Sequence, residues 1–280
     1  MPTLLSFGHG YSARAMAERL PPGWRVIATT RDPGKTGELQ ALGAEPRLFG
    51  SDLTEEIASA THILSSAAPD EGGDPVIAAY GDALRSAWPV WAGYLSTTAV
   101  YGDRQGGWVD EGSALRPASA RGAARVAAEA EWRGLGLPLH VFRLGGIYGP
   151  GRGPFAKLRA GTARRLVKPG QVFSRIHRDD IGRVLAASAR APGPGTWNLV
   201  DDEPAPPQDV MAFAASLIGM DPPEEEAFES ADLSPMARSF YGESKRVSNG
   251  RMRASFGPLL YPTYREGLAA VLAGGAAGGA

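Results

Sequence analysis

The middle of the chain carries hydroxyl, phenol and guanidinium groups at spacings that suit chemistry on a polar substrate. Thr97 follows the apolar run 90–96, and Tyr101 stands four residues further on. Arg121 and Arg125 lie in an Ala-rich helical segment, where a four-residue spacing puts both side chains on one face. Hydroxyl groups donate and accept hydrogen bonds, whereas guanidinium groups stay protonated and bind anionic groups. Chemistry of this kind needs a fold that brings the four residues to one place.

The elements that position them begin at the N-terminus, where residues 6–13 join an apolar run to a helical one. This order predicts a strand, a tight turn and a helix. The glycines allow the turn to approach a pyrophosphate at the helix N-terminus, and a third small residue lets helix and strand pack closely. An ordinary glycine-rich turn is the alternative. The residues expected to contact a dinucleotide here are Gly8, Gly10, Tyr11, Ser12 and Ala13.

Composition excludes several classes of function. The 280 residues are 43% hydrophobic and 21% charged, which is ordinary for a globular protein with a large core. A net charge of -1 gives no general attraction to nucleic acid or to an anionic membrane. The chain has no cysteine, so disulfides and thiolate chemistry are excluded, and no metal site is predicted. Because the sequence shows no leader peptide and no stretch long enough to span a membrane, we expect the protein to be located in the cytoplasm.

Strands and helices alternate through the first half of the chain, which predicts an α/β fold of the Rossmann type. We expect a doubly wound parallel sheet with a smaller C-terminal substrate lobe. Residues 1–150 would form the dinucleotide-binding domain, with a returning segment near 175–200, and residues 151–280 mainly the substrate lobe. The helical pattern ends after Leu272, so the Ala- and Gly-rich tail is expected to fray.

The end of the second predicted strand, Thr30-Arg31-Asp32, bears on the choice of cofactor. In dinucleotide-binding folds an acidic residue here binds the ribose 2′-hydroxyl, whereas an arginine suits a 2′-phosphate. Thr30 stands where the acid would be and Arg31 follows, so NADP is favoured over NAD. The alternative is that Arg31 is a solvated turn residue and Asp32 takes the role of the acid.

Two further strand ends complete the predicted cofactor pocket. Asp52 and Leu53 follow the third strand and are expected at the adenine edge, although Asp52 also suits a helix cap. Ala67 and Ala68 follow the fourth strand and are small where the cofactor would pass. A strand end kept small by a packed helix is the alternative for the second pair.

Five segments, in this order, resemble the extended short-chain dehydrogenase/reductase family, the NAD(P)-dependent epimerase/dehydratase group. They are Gly8–Ala13, Leu95–Gly102 with its Val100-Tyr101-Gly102, Arg143–Gly151, Arg175–Asp180 and Trp197–Asp202. The resemblance covers nearly the whole chain, with Ala13 in place of the usual third glycine.

The resemblance implies roles for the residues at the start. Thr97 would bind the reacting oxygen of the substrate. The family's Tyr-x-x-x-Lys pair falls on Arg121 and Arg125, and no tyrosine lies between Tyr101 and Tyr148. Arg125 can replace lysine in binding the nicotinamide ribose, but Arg121 cannot replace tyrosine as an acid or base. The alternative is that both arginines are exposed on a surface helix.

Substrate residues are less defined. The resemblance places Tyr101 in the substrate pocket, and Tyr101, Tyr148 and His177 are candidates by type for moving a proton. Arg175 and Lys245 are further candidates for substrate contact. A basic run suits a phosphate or sugar nucleotide, although a solvated charge run is the preferred interpretation. It consists of Lys157, Arg159, Arg164, Arg165 and Lys168.

The sequence therefore predicts an NADP-binding oxidoreductase or epimerase/dehydratase-like protein. Its substrate would be a sugar-type or other small carbonyl or hydroxyl compound, and its proton relay would be non-standard. The alternative is a non-catalytic NADP(H)-binding sensor. The Ala-rich helix from Ala120 to Glu131 permits close helix approach and hence a homodimer.

Overall fold

The computed structural model describes residues 1–70, 72–190 and 193–277. The chain divides into two compact units, each built from several segments. The first unit contains Met1–Thr97, Ala120–Arg143 and Ile181–Trp197, and the second contains Thr98–Ser119, Leu144–Asp180 and Asn198–Ala280. Residues 98–119, which the sequence assigns to the first domain, cluster with the second unit.

The strands are short and spread along the whole chain. Their bounds are β1 (Thr3–Phe7), β2 (Arg25–Thr30), β3 (Glu45–Leu48), β4 (His62–Ser65), β5 (Trp91–Thr97), β6 (Trp108–Val109), β7 (Leu139–Leu144), β8 (Gly146–Tyr148), β9 (Arg165–Val167), β10 (Arg175–His177), β11 (Gly195–Leu199), β12 (Glu225–Ala227) and β13 (Arg246–Val247).

The helices alternate with the strands in the first half and become more frequent in the second. Their bounds are α1 (Tyr11–Ala17), α2 (Thr36–Ala41), α3 (Thr54–Ser59), α4 (Pro75–Arg85), α5 (Ala120–Arg133), α6 (Phe155–Arg159), α7 (Arg178–Ser188), α8 (Pro207–Leu217), α9 (Pro235–Phe240), α10 (Gly250–Phe256) and α11 (Tyr264–Ala277).

Seven strands of the described chain form one sheet in the order β11-β7-β5-β4-β1-β2-β3. Strand β1 pairs in parallel with β2 and β4, and the pairs β2–β3 and β4–β5 are also parallel. Every residue of β1 is buried, which is typical of a parallel strand covered on both faces. The predicted α/β class with a Rossmann-type parallel sheet is confirmed.

The core of the first unit lies against this sheet. Leu5 and Phe7 of β1 contact a cluster that includes Leu53 and Ile57 near α3 and Trp132 of α5, all with negligible exposure. The sheet therefore has fixed strand ends, and the loops after β1, β2, β4 and β5 begin from a rigid edge.

The second unit has a different construction. Its strands form three parallel pairs, β8–β10, β9–β12 and β6–β13. A separate core gathers Tyr148, Phe155, Ala214, Tyr264 and Leu268. The segments that form each pair are far apart in sequence, so this unit depends on long-range contacts.

The last helix is longer than the sequence predicts. The expected end at Leu272 is wrong, since α11 continues to Ala277. Residues 278–280, the rest of the predicted frayed tail, lie outside the described residues. No helix in the described ranges is long and apolar enough to cross a membrane.

Candidate functional site

The turn after β1 has a backbone conformation that depends on glycine. Gly8 has a φ of 74°, in the left-handed region that favours glycine. A Cβ atom at Gly8 would lie 3.2 Å from Ser66 Oγ and 3.3 Å from the amide nitrogen of Ala67. The amide of Gly8 donates to Thr29 Oγ1 at 3.0 Å, and Ser66 Oγ donates to the carbonyl of Gly8. Neighbouring strand ends therefore hold the turn on both sides.

The start of α1 fits a pyrophosphate. Gly10 occupies the N-cap and brings no side-chain acceptor, and the first turn contains no acidic residue. Ser12 and Ala13 are buried, while Tyr11 is half-buried. The amide groups and the dipole of a helix start favour an anion. We therefore find that the residues present fit the phosphate groups of a dinucleotide.

His9, between the two glycines, is a feature that the sequence interpretation missed. It is buried, and its Nδ1 lies 3.0 Å from Ser6 Oγ. Burial, helped by the charge of Arg14, lowers the pKa of His9 to about 4. The imidazole is therefore neutral near pH 7. The sequence signal for this residue was the Gly8-His9-Gly10 pattern, because a tight turn holds the histidine against the strand that precedes it.

At the end of β2, the side chains of Thr30 and Asp32 are engaged in the local turn. The amide of Asp32 donates to Thr30 Oγ1 at 3.1 Å, and Asp32 Oδ1 accepts from the amide of Gly34 at 2.9 Å. Arg31 is exposed, with its Cζ 5.3 Å from the centroid of the Phe49 ring. An exposed guanidinium thus stands beside a carboxylate that already caps the next turn.

Asp52 lies just before Leu53, the N-cap residue of α3, and its carboxylate binds the first residue of the helix. Its Oδ1 accepts from the amide of Thr54 at 3.0 Å and from Thr54 Oγ1 at 2.7 Å, which lowers the pKa of Asp52. Leu53 is fully buried in the core of the first unit. The adenine roles of both residues stay predictions.

Arg125 lies across the ends of β4 and β5. Its Nη1 donates to the carbonyl of Leu95 at 2.7 Å, to Tyr94 Oη at 3.1 Å and to the carbonyl of Ala67 at 3.3 Å. Arg125 and Ala67 are half-buried, whereas Ala68 is exposed. The side chain of Arg125 is therefore directed at the strand ends rather than into solvent, unlike the surface alternative.

Tyr94, the partner of Arg125, is a second residue that the sequence interpretation missed. It is fully buried and stacks on Trp132, with ring centroids 5.7 Å apart. Burial raises the pKa of Tyr94 to about 12, although the charge of Arg125 opposes the shift. The signal available in the sequence was strand alternation, which places Tyr94 and Ser96 on the same face of β5.

Thr97 and Arg121 differ in their surroundings. Thr97 ends β5, two residues after the carbonyl that Arg125 binds, and is half-buried. Arg121 is exposed, one turn before Arg125 on α5. Thr97 and Arg121 both lie in the first unit. The residues expected near the nicotinamide therefore belong to one compact unit.

A buried ion pair holds α5 on the sheet. Glu129 accepts from Ser96 Oγ at 2.6 Å and from Arg143 Nη2 at 2.8 Å, and Arg133 Nη2 lies 3.1 Å from the same carboxylate. Burial alone would raise the pKa of Glu129, but the hydrogen bonds and charge of Arg143 outweigh it and lower the pKa. Glu129 follows Arg125 by one helical turn. The ion pair between Glu129 and Arg143 therefore fixes the position of Arg125 relative to the sheet.

The four predicted substrate residues lie in the second unit, and each has a partner within it. Tyr101 is fully buried, and its hydroxyl donates to Asn198 Oδ1 at 2.7 Å. Lys245 is buried, with its Nζ 2.5 Å from Glu243 Oε2. Tyr148 is buried, and burial raises its pKa far above the usual range. These contacts argue against Tyr101 and Tyr148 as proton carriers.

His177 and Arg175 belong to the same region as Tyr148. The ring of His177 meets that of Tyr148 edge-on at 5.2 Å, and its Nδ1 accepts from the amide of Asp179 at 3.1 Å. Arg175 Nη1 donates to the carbonyls of Phe173 at 2.9 Å and Ala205 at 3.1 Å. Burial lowers the pKa of Arg175, and the charge of Asp201 opposes the shift.

Comparisons with known proteins were made for sequence and fold. No known family model matches the chain. A solved structure of a conserved protein of unknown function from Silicibacter pomeroyi DSS is 54% identical, with a TM-score of 0.92 over 98% of this chain and 99% of that one. The human epimerase family protein SDR39U1, solved with NADPH, is 17% identical, with a TM-score of 0.78 over 96% and 98%. Other similar structures are complexes with NAD.

A curated relative is a 3-diazoavenalumate denitrifying reductase from Streptomyces sp. It is 28% identical over 158 residues, which are 51% of this chain and 49% of the reductase. The match therefore spans about half the length of that protein.

The architecture defines the class: the chain has the fold of the extended short-chain dehydrogenase/reductases, as the five sequence segments predict. Within that class, the chain belongs to the same protein family as the Silicibacter pomeroyi protein.

Proposed function

We propose that this protein binds NADP(H) and acts as an oxidoreductase or an epimerase/dehydratase-like enzyme on a small carbonyl or hydroxyl substrate. The proposal rests on the position of Arg125. A cation is fixed by Leu95 and Ala67 at the ends of β4 and β5, two residues before Thr97 along the strand. The family resemblance implies a cation that binds the nicotinamide ribose and a hydroxyl group that binds the substrate, and Arg125 and Thr97 stand at those two positions.

When bound, the cofactor supplies a hydride donor or acceptor. Thr97 would bind the reacting oxygen, and Arg125 would bind ribose hydroxyl groups with the guanidinium nitrogens that do not contact the strand ends. Arg121 would stabilise negative charge, because a guanidinium group cannot give up a proton near pH 7. The proton relay is therefore non-standard, because α5 carries no tyrosine to transfer a proton. Thr97 and Arg121 would hold the oxygen that becomes negatively charged, and solvent water would exchange the proton with it.

The choice of NADP rests on the end of β2. Asp32 caps its own turn, whereas Arg31 is exposed and supported by Phe49. A guanidinium group binds a phosphate with paired hydrogen bonds, and the 2′-phosphate of NADP is the group expected at this strand end.

Two measurements test the proposal. NADPH and NADP are titrated into the protein, and hydride transfer is then followed with a panel of carbonyl compounds and sugar nucleotides. We expect cofactor binding, together with turnover that Thr97→Ala abolishes and the neighbouring Thr98→Ala preserves. Absence of binding of both cofactors at millimolar concentration would overturn the proposal.

A second candidate is a non-catalytic NADP(H) sensor, and the replacement of tyrosine by Arg121 favours it. A sensor would bind both redox forms with unequal affinity and show no hydride transfer with any compound of the panel. Turnover by the wild-type protein that depends on Thr97 excludes the sensor. Turnover gained only in Arg121→Tyr supports it, since the phenol would restore the missing proton carrier.

A further inference from the structure

The second unit contains three partly buried aromatic rings in mutual contact. Tyr241 stacks on Phe228, with centroids 4.9 Å apart, and meets Phe173 edge-on at 5.5 Å. None of the three rings is fully buried. These residues are called the aromatic cluster below. Its exposed ring surface can contact a planar ligand by stacking or by edge-to-face packing.

Three cations surround the aromatic cluster. Lys168 Nζ lies 5.2 Å and Arg238 Cζ lies 5.0 Å from the centroid of Phe228, and Arg175 Cζ lies 6.0 Å from that of Phe173. Cations are attracted to ring faces at these distances, but they also repel one another. Two positive groups beside one ring therefore create a positive potential at this surface.

Within the described ranges, no carboxylate forms an ion pair with any of the three cations. Lys168 donates to the carbonyl of Tyr241, Arg238 to that of Ala231, and Arg175 to those of Phe173 and Ala205. Asp201 acts on Arg175 by its charge but lies outside ion-pair distance.

The neighbouring basic residues behave differently. Arg164 pairs with Glu226, and Arg165 Nη2 lies 2.9 Å from Glu225 Oε1 across the β9–β12 pair. Within the basic run of the sequence, Arg164 and Arg165 are therefore neutralised by carboxylates, whereas Lys168 has no acidic partner in the structure described.

We propose that the aromatic cluster and its three cations bind a small planar organic acid of the arylcarboxylate class. The carboxylate would take the place of the missing counter-ion, with Arg238 and Lys168 as donors, and the planar body would lie against Phe228 and Tyr241. Assigning this acid as the substrate rests on the proposed function. The binding site itself does not, because all of its residues lie in the second unit.

Calorimetry on the full chain without cofactor tests the proposal, with cinnamate as the probe. A saturated analogue of equal charge, 3-cyclohexylpropionate, tests the need for a planar body, and UDP represents a nucleoside diphosphate. We expect cinnamate to bind about tenfold more tightly than the saturated acid. Binding should weaken with added salt, because the contact is between charges.

Substitutions in the aromatic cluster and its cations test whether cinnamate binds there. Lys168→Gln and Arg238→Gln should each weaken cinnamate binding about tenfold, as expected for the loss of one charged hydrogen bond. The matched control Lys157→Gln, an exposed cation on α6, should leave it unchanged. Phe228→Leu should remove the preference for cinnamate over its saturated analogue.

The proposal is overturned if cinnamate does not bind at millimolar concentration, if both charge variants bind it normally, or if UDP binds more tightly. NADPH titration of the same variants separates the two proposals. Normal NADPH binding with lost cinnamate binding supports the acid site, whereas lost NADPH binding in the wild type counts against the proposed function alone.

Discussion

Gly8 illustrates how much a single residue can determine. Gly8→Ala would place a Cβ 3.2 Å from Ser66 Oγ in a backbone with a φ of 74°. We expect the loss of about 1–2 kcal/mol of unfolding free energy from the left-handed backbone. Displacement of the turn should also weaken NADPH binding at least tenfold. Urea unfolding and a cofactor titration measure the two effects.

The matched control for that substitution is Gly43→Ala. Gly43 has a φ of 77°, but a Cβ there would meet nothing within 4 Å. It should lose similar stability and bind NADPH normally. Equal loss of cofactor binding in both variants would contradict a specific role for the Gly8 turn.

Substitution of Arg31 tests whether this single residue selects NADP over NAD. Arg31→Ala should weaken NADPH binding about tenfold or more, because it removes a charged hydrogen-bond donor to the 2′-phosphate. NADH, which lacks that phosphate, should bind as before. Parallel fluorescence titrations give the two affinities, with Arg85→Ala as a control on the exposed face of α4. A parallel loss for both cofactors would show that Arg31 does not read the phosphate.

Helix α5 depends on the buried pair of Glu129 and Arg143. Glu129→Ala would leave the guanidinium of Arg143, which is 3% exposed, without its carboxylate. Breaking a buried pair in this way costs about 3–5 kcal/mol. Chemical denaturation should detect it, and Glu131→Ala on the exposed face of α5 should change stability little. A small effect of Glu129→Ala would mean that the pair does not anchor the helix.

The elements of the first unit could be predicted because their signals are local. The apolar residues at 139–143 indicate a strand, and a strand is observed at Leu139–Leu144. The Ala- and Arg-rich segment 119–135 indicates a helix, and a helix is observed at Ala120–Arg133. Apolar periodicity and helix-forming composition determine both. Strand β13, only two residues long, pairs with β6 from the other half of the chain. A pairing of that kind leaves no periodic pattern in the sequence.

The candidate site, too, could be predicted only where its signals are local. The glycine turn and the position of Arg125 follow from spacing, since a four-residue repeat keeps side chains on one helix face. The partners of these residues cannot be predicted from spacing. The contact of Tyr94 with Arg125 is known only from the folded chain. So are the ion pairs of Glu225 and Glu226 with Arg165 and Arg164.

The assembly of the molecule is a further proposal, based on α5. The outer face of this helix carries alanines at three- and four-residue intervals, all exposed: Ala120, Ala123, Ala127 and Ala130. Small residues allow two helices to approach closely, so we propose a homodimer through this face. Sedimentation should give a dimer for the wild type and a monomer for Ala127→Glu. A monomeric wild type at all concentrations would contradict the proposal.

The stability of the whole molecule should pass through a maximum with pH. Burial lowers the pKa of His9 and His140 from 6.5 to about 4, so the unfolded chain binds more protons below pH 6.5 and stability falls towards pH 4. Burial raises the pKa of Asp201 from 3.8 to about 8, against the opposing charge of Arg175. The folded chain therefore keeps a proton that the unfolded chain releases, and this contribution falls as pH rises from about 4 to 8.

Between pH 4 and 6.5 the histidines outweigh the one carboxyl group, because burial also lowers the pKa of His62 and this adds to the effect of His9 and His140. Above pH 6.5 the raised pKa of Asp201 makes stability decline. Unfolding free energy should thus rise by at least about 1.4 kcal/mol per pH unit and then fall by about that amount. The maximum should lie near pH 6.5, where the unfolded histidines titrate. Urea titrations across this range measure the curve. Asp201→Asn should abolish the alkaline decline, whereas the control Asp202→Asn should retain it, because Asp202 is exposed and paired with Arg253. An unchanged decline in Asp201→Asn would assign the alkaline limb to another group.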